Sequence, residues 1–149
     1  MNINAYMIAE RFLGTKEIPG SFDNPHILAM LRLDNEWPEN DETPWCSAFV
    51  NYIAWLLSLP RSKSLLARSW LSIGTRIDLA NAVVGFDVCI LKRGGGEQPG
   101  ANNYTAPGHV GFYAGRNEGT IKLLGGNQGN AVSIAEFPIE RLIGIRRLA

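Results

Sequence analysis

A thiol hydrolase needs a cysteine that can lose its proton, a histidine that takes it, and a polar side chain that holds the histidine in place. Cys46 meets the first requirement on position. It follows Pro44-Trp45, where proline breaks the chain, and it opens the apolar run Cys46-Ser47-Ala48-Phe49-Val50. A thiol in a helix's first turn sits among unpaired backbone N–H groups at the positive end of the helix dipole. Both favour the thiolate, the reactive form. The chain has 2 histidines. His26 falls in the first turn of an early helix and reads as a surface or capping residue. His109 opens a strand after Pro107-Gly108, which makes it the candidate base. The base needs an orienter on its other ring nitrogen, and Leu123-Leu124-Gly125-Gly126-Asn127-Gln128 ends a neighbouring strand with two amides. Asn127 is the first choice for that role and Gln128 the second.

The elements that must position these residues follow from periodicity. Residues 4–13 carry Ala5, Ile8, Ala9 and Phe12 at helical spacing, and Gly14 stops them. Asn24-Pro25 reads as a helix cap followed by proline at the first helical position, with Ile27, Leu28 and Leu31 as the buried stripe. The central helix is expected over residues 46–57, with Phe49, Val50, Ile53, Ala54 and Leu57 facing the core and Trp55 buried within it. A shorter helix is expected over 65–73, closed by Gly74. Thereafter the pattern turns to strands: 86–91, 109–114, 120–124, 131–137 and 142–148, with turn residues at 117–119 and 125–130. Alternation places His109, Gly111 and Tyr113 on one face, and Gly111 is expected to leave open space for a cleft. Helices followed by an antiparallel meander give an α+β domain with the helices packed on one sheet face.

Composition narrows the function. The chain has 149 residues, 14 basic and 14 acidic side chains, 46% hydrophobic residues and 2 cysteines. This is the profile of one globular domain with a real core. No basic tract supports binding to nucleic acid, and no apolar run is long enough for stable membrane insertion. The first ten residues lack the charge and cleavage pattern of a signal peptide, so cytoplasmic synthesis is expected. Two cysteines are too few for a disulfide scaffold, and Cys89, inside a β-rich run, reads as core. Cys46, Cys89, His26 and His109 have no metal-ligand spacing. The acidic loop over residues 34–43 fails as an EF-hand, because Trp37-Pro38-Glu39 stands where a glycine turn is required. No metal or cofactor is expected, and Gly94-Gly95-Gly96 lacks the lysine and helix of a phosphate loop. Ser69 has no nucleophile-elbow pattern around it. Trp45 and Trp70 flank the expected cleft and are assigned, with Gln128, to substrate contact, although packing alone explains the two tryptophans about equally well.

Pro44-Trp45-Cys46-Ser47-Ala48-Phe49-Val50-Asn51, Ala67-Arg68-Ser69-Trp70-Leu71, Gly108-His109-Val110-Gly111-Phe112-Tyr113 and Gly125-Gly126-Asn127-Gln128 together resemble CHAP-type members of the NlpC/P60 superfamily of papain-like peptidases. The resemblance is closest to small phage and prophage cell-wall hydrolases, and Glu17-Ile18-Pro19-Gly20 and Asn24-Pro25 extend it to the N-terminal segment. One departure is Phe86-Asp87, where related chains tend to have glycine before the aspartate. The resemblance implies a papain-like α+β fold, with N-terminal helices on a C-terminal antiparallel sheet of about five strands and the nucleophile starting the central helix. It implies Cys46 as nucleophile, His109 as general base and Asn127 as the polar third residue. The implied reaction is hydrolysis of an amide in bacterial peptidoglycan through an acyl-enzyme: an N-acetylmuramoyl-L-alanine amidase or a stem or cross-bridge endopeptidase. A monomeric phage lysin released to the wall by a holin is the expected setting. A contact-delivered toxin with an immunity partner and a catalytically silent wall-binding module are the alternatives.

Overall fold

The computed structural model describes residues 2–18, 24–34, 45–94 and 97–149. The turn at Pro19-Gly20 and nearly all of the acidic loop, with Trp37, lie outside them.

Three helices precede the sheet: α1 (Ala5–Glu10), α2 (Pro25–Leu31) and α3 (Cys46–Leu56). The Asn24 side chain accepts from the His26 N–H at 2.9 Å, so α2 starts at the expected cap, and Asn4 caps α1 in the same way. The expected helix at 65–73 is a shorter 3-10 segment, Ala67–Ser72. Six strands follow: β1 (Thr75–Arg76), β2 (Asp87–Lys92), β3 (Gly108–Asn117), β4 (Thr120–Gly125), β5 (Ser133–Pro138) and β6 (Leu142–Arg147). They form one sheet in the order β1-β6-β2-β3-β4-β5, and every pairing is antiparallel. The fold is the expected α+β class, with two differences in the sheet. The chain meanders only from β2 to β5. The last strand then returns across the sheet to pair with β2, and two-residue β1 adds the sixth strand at its outer edge.

The sheet is buried on both faces. Val88, Ile90, Val110, Phe112 and Leu124 pack under Phe49, Val50 and Ile53 of α3, with Phe49 edge-on to Phe112 at 6.2 Å between ring centres. Burying each such side chain contributes about 1.5–3 kcal/mol, which seats α3 firmly on the sheet. Cys89, Leu91, Tyr113, Ile121, Leu123 and Ile145 form a second cluster on the other face, against Ile77, Leu79 and Phe137. That two-sided burial is why β2 reads Val-Cys-Ile-Leu without polar alternation. Cys89 is core, as expected. Trp55 is not: it is 48% exposed, because the stripe that α3 buries runs through residues 49, 50, 53 and 54 and turns 55 outward.

Behind α3, polar groups lock the helix to its neighbours. Trp70 Nε1 donates to Ser47 Oγ at 2.9 Å, Ser47 donates to the Ser64 carbonyl, and Asn51 donates to the Ser62 hydroxyl and the Ser64 carbonyl. The N-terminal segment braces the other end of the sheet. Gly14 N–H bonds Val132 O, Val132 N–H bonds Thr15 O, and Glu17 N–H bonds Asn130 O.

Candidate active site

Cys46 is the first residue of α3 and is buried, with 6% of its surface exposed. Among the described residues no side chain caps the helix, so its first-turn N–H groups are left for the thiol and for whatever enters the cleft. Loss of water pushes the thiol above its ordinary value. The backbone groups of Val110, Ser47 and Cys46 itself and the Arg93 guanidinium pull the other way without overcoming burial. The groups at the helix start do favour the thiolate, as expected, and burial opposes them.

His109 stands at the start of β3, paired with Leu91 of β2. Its Nε2 lies 2.9 Å from Gln128 Oε1, and its ring tilts against Phe137 with centres 5.3 Å apart. The tautomer follows from Gln128. Gln128 Nε2 donates to Leu123 O at 3.1 Å and to Ser133 O at 2.8 Å, which fixes the amide with its oxygen toward the ring. An amide oxygen only accepts, so His109 Nε2 carries the proton and Nδ1 is the basic nitrogen. Burial pushes the His109 pKa down. The Gln128 bond opposes this, and Arg141 and Arg93 reinforce it, so the imidazole is held neutral below its ordinary titration range. Burial thus biases both the thiol and the imidazole toward their neutral forms.

Cys46, His109, Asn127 and Gln128 all line one cavity of about 470 Å³, together with Arg93 and Arg141. The six residues picked from the sequence divide as follows. Cys46 and His109 meet at the cleft. Gln128, not Asn127, contacts the histidine. Asn127 borders the cavity with φ +58, a left-handed conformation that asparagine tolerates, and this turn swings residue 128 inward. The assignment of Gln128 to substrate contact is corrected too, since its carboxamide is fully used by His109, Leu123 and Ser133. Trp45 and Trp70 have no exposed surface and cannot touch substrate. Trp45 Nε1 donates to Glu17 Oε1 at 2.8 Å, and its ring supports the Gly126 backbone, where a Cβ would sit 2.8 Å from Trp45 Cε3.

Two glycines explain how the site closes. A Cβ on Gly125 would stand 2.5 Å from Gln128 Oε1, so the glycine makes room for the carboxamide. A Cβ on Gly111 would meet Leu123 Cβ at 3.1 Å and Leu124 O at 3.2 Å. The space beside Gly111 is thus filled by β4, not left for a cleft as expected.

Sequence reasoning passed over Arg68. It is completely buried, with Nε donating to Pro107 O at 3.1 Å and Nη1 to Gly100 O at 2.8 Å and Asn103 O at 3.2 Å. One buried guanidinium thus gathers the loop that leads into His109. Its sequence signal is its place in the Ala67-Arg68-Ser69-Trp70-Leu71 motif, to which no role was attached. Arg93 and Arg141 were also missed, because nothing in their local sequence points to the cleft. Both cysteines are free, and among the described residues no three His, Cys, Asp or Glu side chains gather in a way that could hold a metal.

No family model and no curated protein matches the chain. Among solved structures, NlpC1 from Trichomonas vaginalis superposes with a TM-score of 0.55 at 17% identity. The match covers 99% of this chain and 45% of that one. The fold is NlpC/P60-like. At this identity the likeness carries architecture, and the chain spans less than half the length of that neighbour. In this structure the start of α3 and the first two residues of β3, Gly108 and His109, line one cavity with Cys46. Among the described residues, no helix is long and apolar enough to cross a membrane.

Proposed function

We propose that the chain is a cysteine hydrolase of bacterial peptidoglycan in which Cys46 is the nucleophile, His109 the general base and Gln128 the residue that orients the base. The observation that carries this reading is the His109–Gln128 bond, which leaves Nδ1 as the free base in the cleft shared with Cys46. His109 Nδ1 takes the thiol proton as sulfur attacks the amide carbonyl. The tetrahedral oxyanion is met by the N–H of Cys46 at the uncapped start of α3. Its collapse breaks the C–N bond, and the imidazolium gives its proton to the leaving amine. Water, deprotonated by the same nitrogen, then attacks the thioester; the acid product leaves and the thiol is restored.

The substrate class is supported by the NlpC/P60-like fold and by the sequence motifs around Cys46, His109 and Gly126-Asn127. The finer assignments, a CHAP-type enzyme and a phage or prophage lysin, rest on those motifs alone. The scissile bond is the N-acetylmuramoyl-L-alanine amide or a peptide bond of the stem or cross-bridge. Mass spectrometry of digested sacculi tells them apart, because one yields new lactyl carboxyl ends and the other new peptide termini. Wild type should solubilise purified sacculi and Cys46→Ala should not. Equal release by the two proteins would refute a thiol mechanism and favour a binding module on the same scaffold.

A further inference from the structure

The cleft around Cys46 and His109 carries two arginines, and among its described lining residues there is no carboxylate. Arg141 lies in the 3-10 segment Ile139–Arg141 just before β6. Its Nε donates to Lys92 O at 3.1 Å, and its guanidinium lies over Phe137, 5.1 Å from the ring centre. That anchoring uses Nε and one face of the group. Among the described residues neither Nη donates to the protein, so a planar pair of donors is presented ready-made. Arg93, directly after β2, is exposed and makes no ion pair among the described residues. The positive field reaches the reacting groups, since both arginines oppose a charge on His109 and Arg93 favours one on Cys46.

Next to this cavity is a second one of about 270 Å³ that shares Cys46, Arg93 and Gly108 with it but not His109. Its remaining wall is mostly apolar, including Leu65, Leu66, Ala67 and Ala106. Both cavities are lined by Cys46, so a substrate lying across that residue has one half in each. The histidine decides which half. A general acid must reach the leaving nitrogen, so the amine fragment lies on the His109 side and the acyl fragment on the apolar side.

We infer that Arg93 and Arg141 form a carboxylate-binding subsite for the amine half of the substrate, so that the enzyme prefers an amide with a small apolar acyl group and an acidic amine fragment. The inference rests on the hydrolase reading for its orientation, whereas the subsite itself is a matter of binding. A carboxylate taken by the two Arg141 Nη groups gains charge-assisted hydrogen bonds, and Arg93 adds a second, more solvated charge at the cleft mouth.

The test measures binding without turnover. The full chain with Cys46→Ala is titrated calorimetrically at low ionic strength with N-lactoyl-Ala-Glu and with its diamide, which differ only in the two carboxylates. The acid should bind about tenfold more tightly than the diamide, as loss of one charge-assisted contact implies. Arg93→Gln should shrink that preference, Arg141→Lys should retain part of it, and Arg93→Gln/Arg141→Gln should abolish it while leaving the diamide's affinity unchanged. Arg93 has no ion-pair partner among the described residues, so the single variant decides the matter even if the double variant fails to fold. Equal binding of acid and diamide, binding of neither, or a preference that survives Arg93→Gln undiminished would overturn the inference. Wild type that hydrolyses neither the peptides nor sacculi would refute the hydrolase reading instead, and the acid–diamide comparison would still decide the subsite.

Discussion

Gln128→Ala should lower kcat and stability together, whereas Asn127→Gly should leave both nearly intact. The magnitude follows from what the Gln128 carboxamide holds. Its oxygen bonds His109 Nε2 at 2.9 Å, and its nitrogen bonds Leu123 O at 3.1 Å and Ser133 O at 2.8 Å. Truncation removes three hydrogen bonds from a side chain only 8% exposed. At about 0.5–1.5 kcal/mol each, the loss comes to roughly 1.5–4.5 kcal/mol, toward the lower end if water enters the vacated space. The catalytic loss is separate. Without Oε1 the imidazole has no fixed proton on Nε2, so the wrong tautomer and rotated rings compete with the productive one. A bias of about 1.4–2.7 kcal/mol corresponds to a 10–100-fold fall in kcat. KM should hardly move, because the carboxamide has no free group for substrate. Asn127→Gly keeps the left-handed turn at φ +58 without strain, which Asn127→Ala would not. Steady-state kinetics on a soluble muropeptide and urea denaturation of each variant supply the numbers. The reasoning fails if Asn127→Gly loses as much kcat as Gln128→Ala, or if Gln128→Ala raises KM at constant kcat.

Three further outcomes are expected. Gly125→Ala should cut kcat about tenfold at most, with a modest loss of stability, because the new methyl displaces the oxygen of a carboxamide held by His109, Leu123 and Ser133; wild-type kcat would show that the Gln128 contact is dispensable. In the pH profile of kcat/KM the active base is neutral His109, whose pKa burial and two arginines lower from 6.5, so activity should persist below pH 6.5 and fall only as the ring finally protonates. Arg93→Gln removes one opposing cation and should move that acid limb upward, and an unchanged or downward-shifted limb would contradict the assignment. Arg68→Ala should destabilise by on the order of 3–5 kcal/mol, since three backbone carbonyls lose their donor and a large buried side chain is emptied; thermal melting that barely shifts would show that the 100–107 loop holds itself.

The helices and most strands were legible because each carries its own local signal. Asn24-Pro25 announces α2 through a cap that the structure reproduces, and Phe49, Val50, Ile53 and Ala54 announce the buried face of α3. What local signal could not supply was order. The return of β6 to the far side of β2 is a long-range pairing, Cys89 opposite Ile145, which no turn residue encodes. Two-residue β1 exists only because β6 passes beside it. Trp55 misled for a related reason: an aromatic residue one step off a buried stripe looks like part of it until the helix has a partner that fixes which side is in.

The sequence picked out Cys46 and His109, which line one cavity, and not the groups that support them, and the division has a physical cause. A nucleophile and a base are recognisable by type, since few residues do either job. An orienting amide is recognisable only by where its backbone points. In Gly126-Asn127-Gln128 the choice rests on one dihedral: the left-handed turn at Asn127 spends that residue on conformation and delivers the next side chain to the ring. Asparagine is a residue type able to orient a histidine and also the non-glycine residue best suited to positive φ. Here the second property decides, and the longer glutamine reaches the histidine while still reaching Leu123 and Ser133. Carbonyl-directed anchoring then recurs around the cleft. Gln128 is aimed by two carbonyls, Arg68 gathers three, and Arg141 is pinned by the carbonyl of Lys92. Each contact joins a side chain to backbone far off in sequence or across a turn, so no spacing rule exposes it. Together they hold a neutral cysteine–histidine pair between two guanidinium groups, a site suited to an amide that brings its own negative charge.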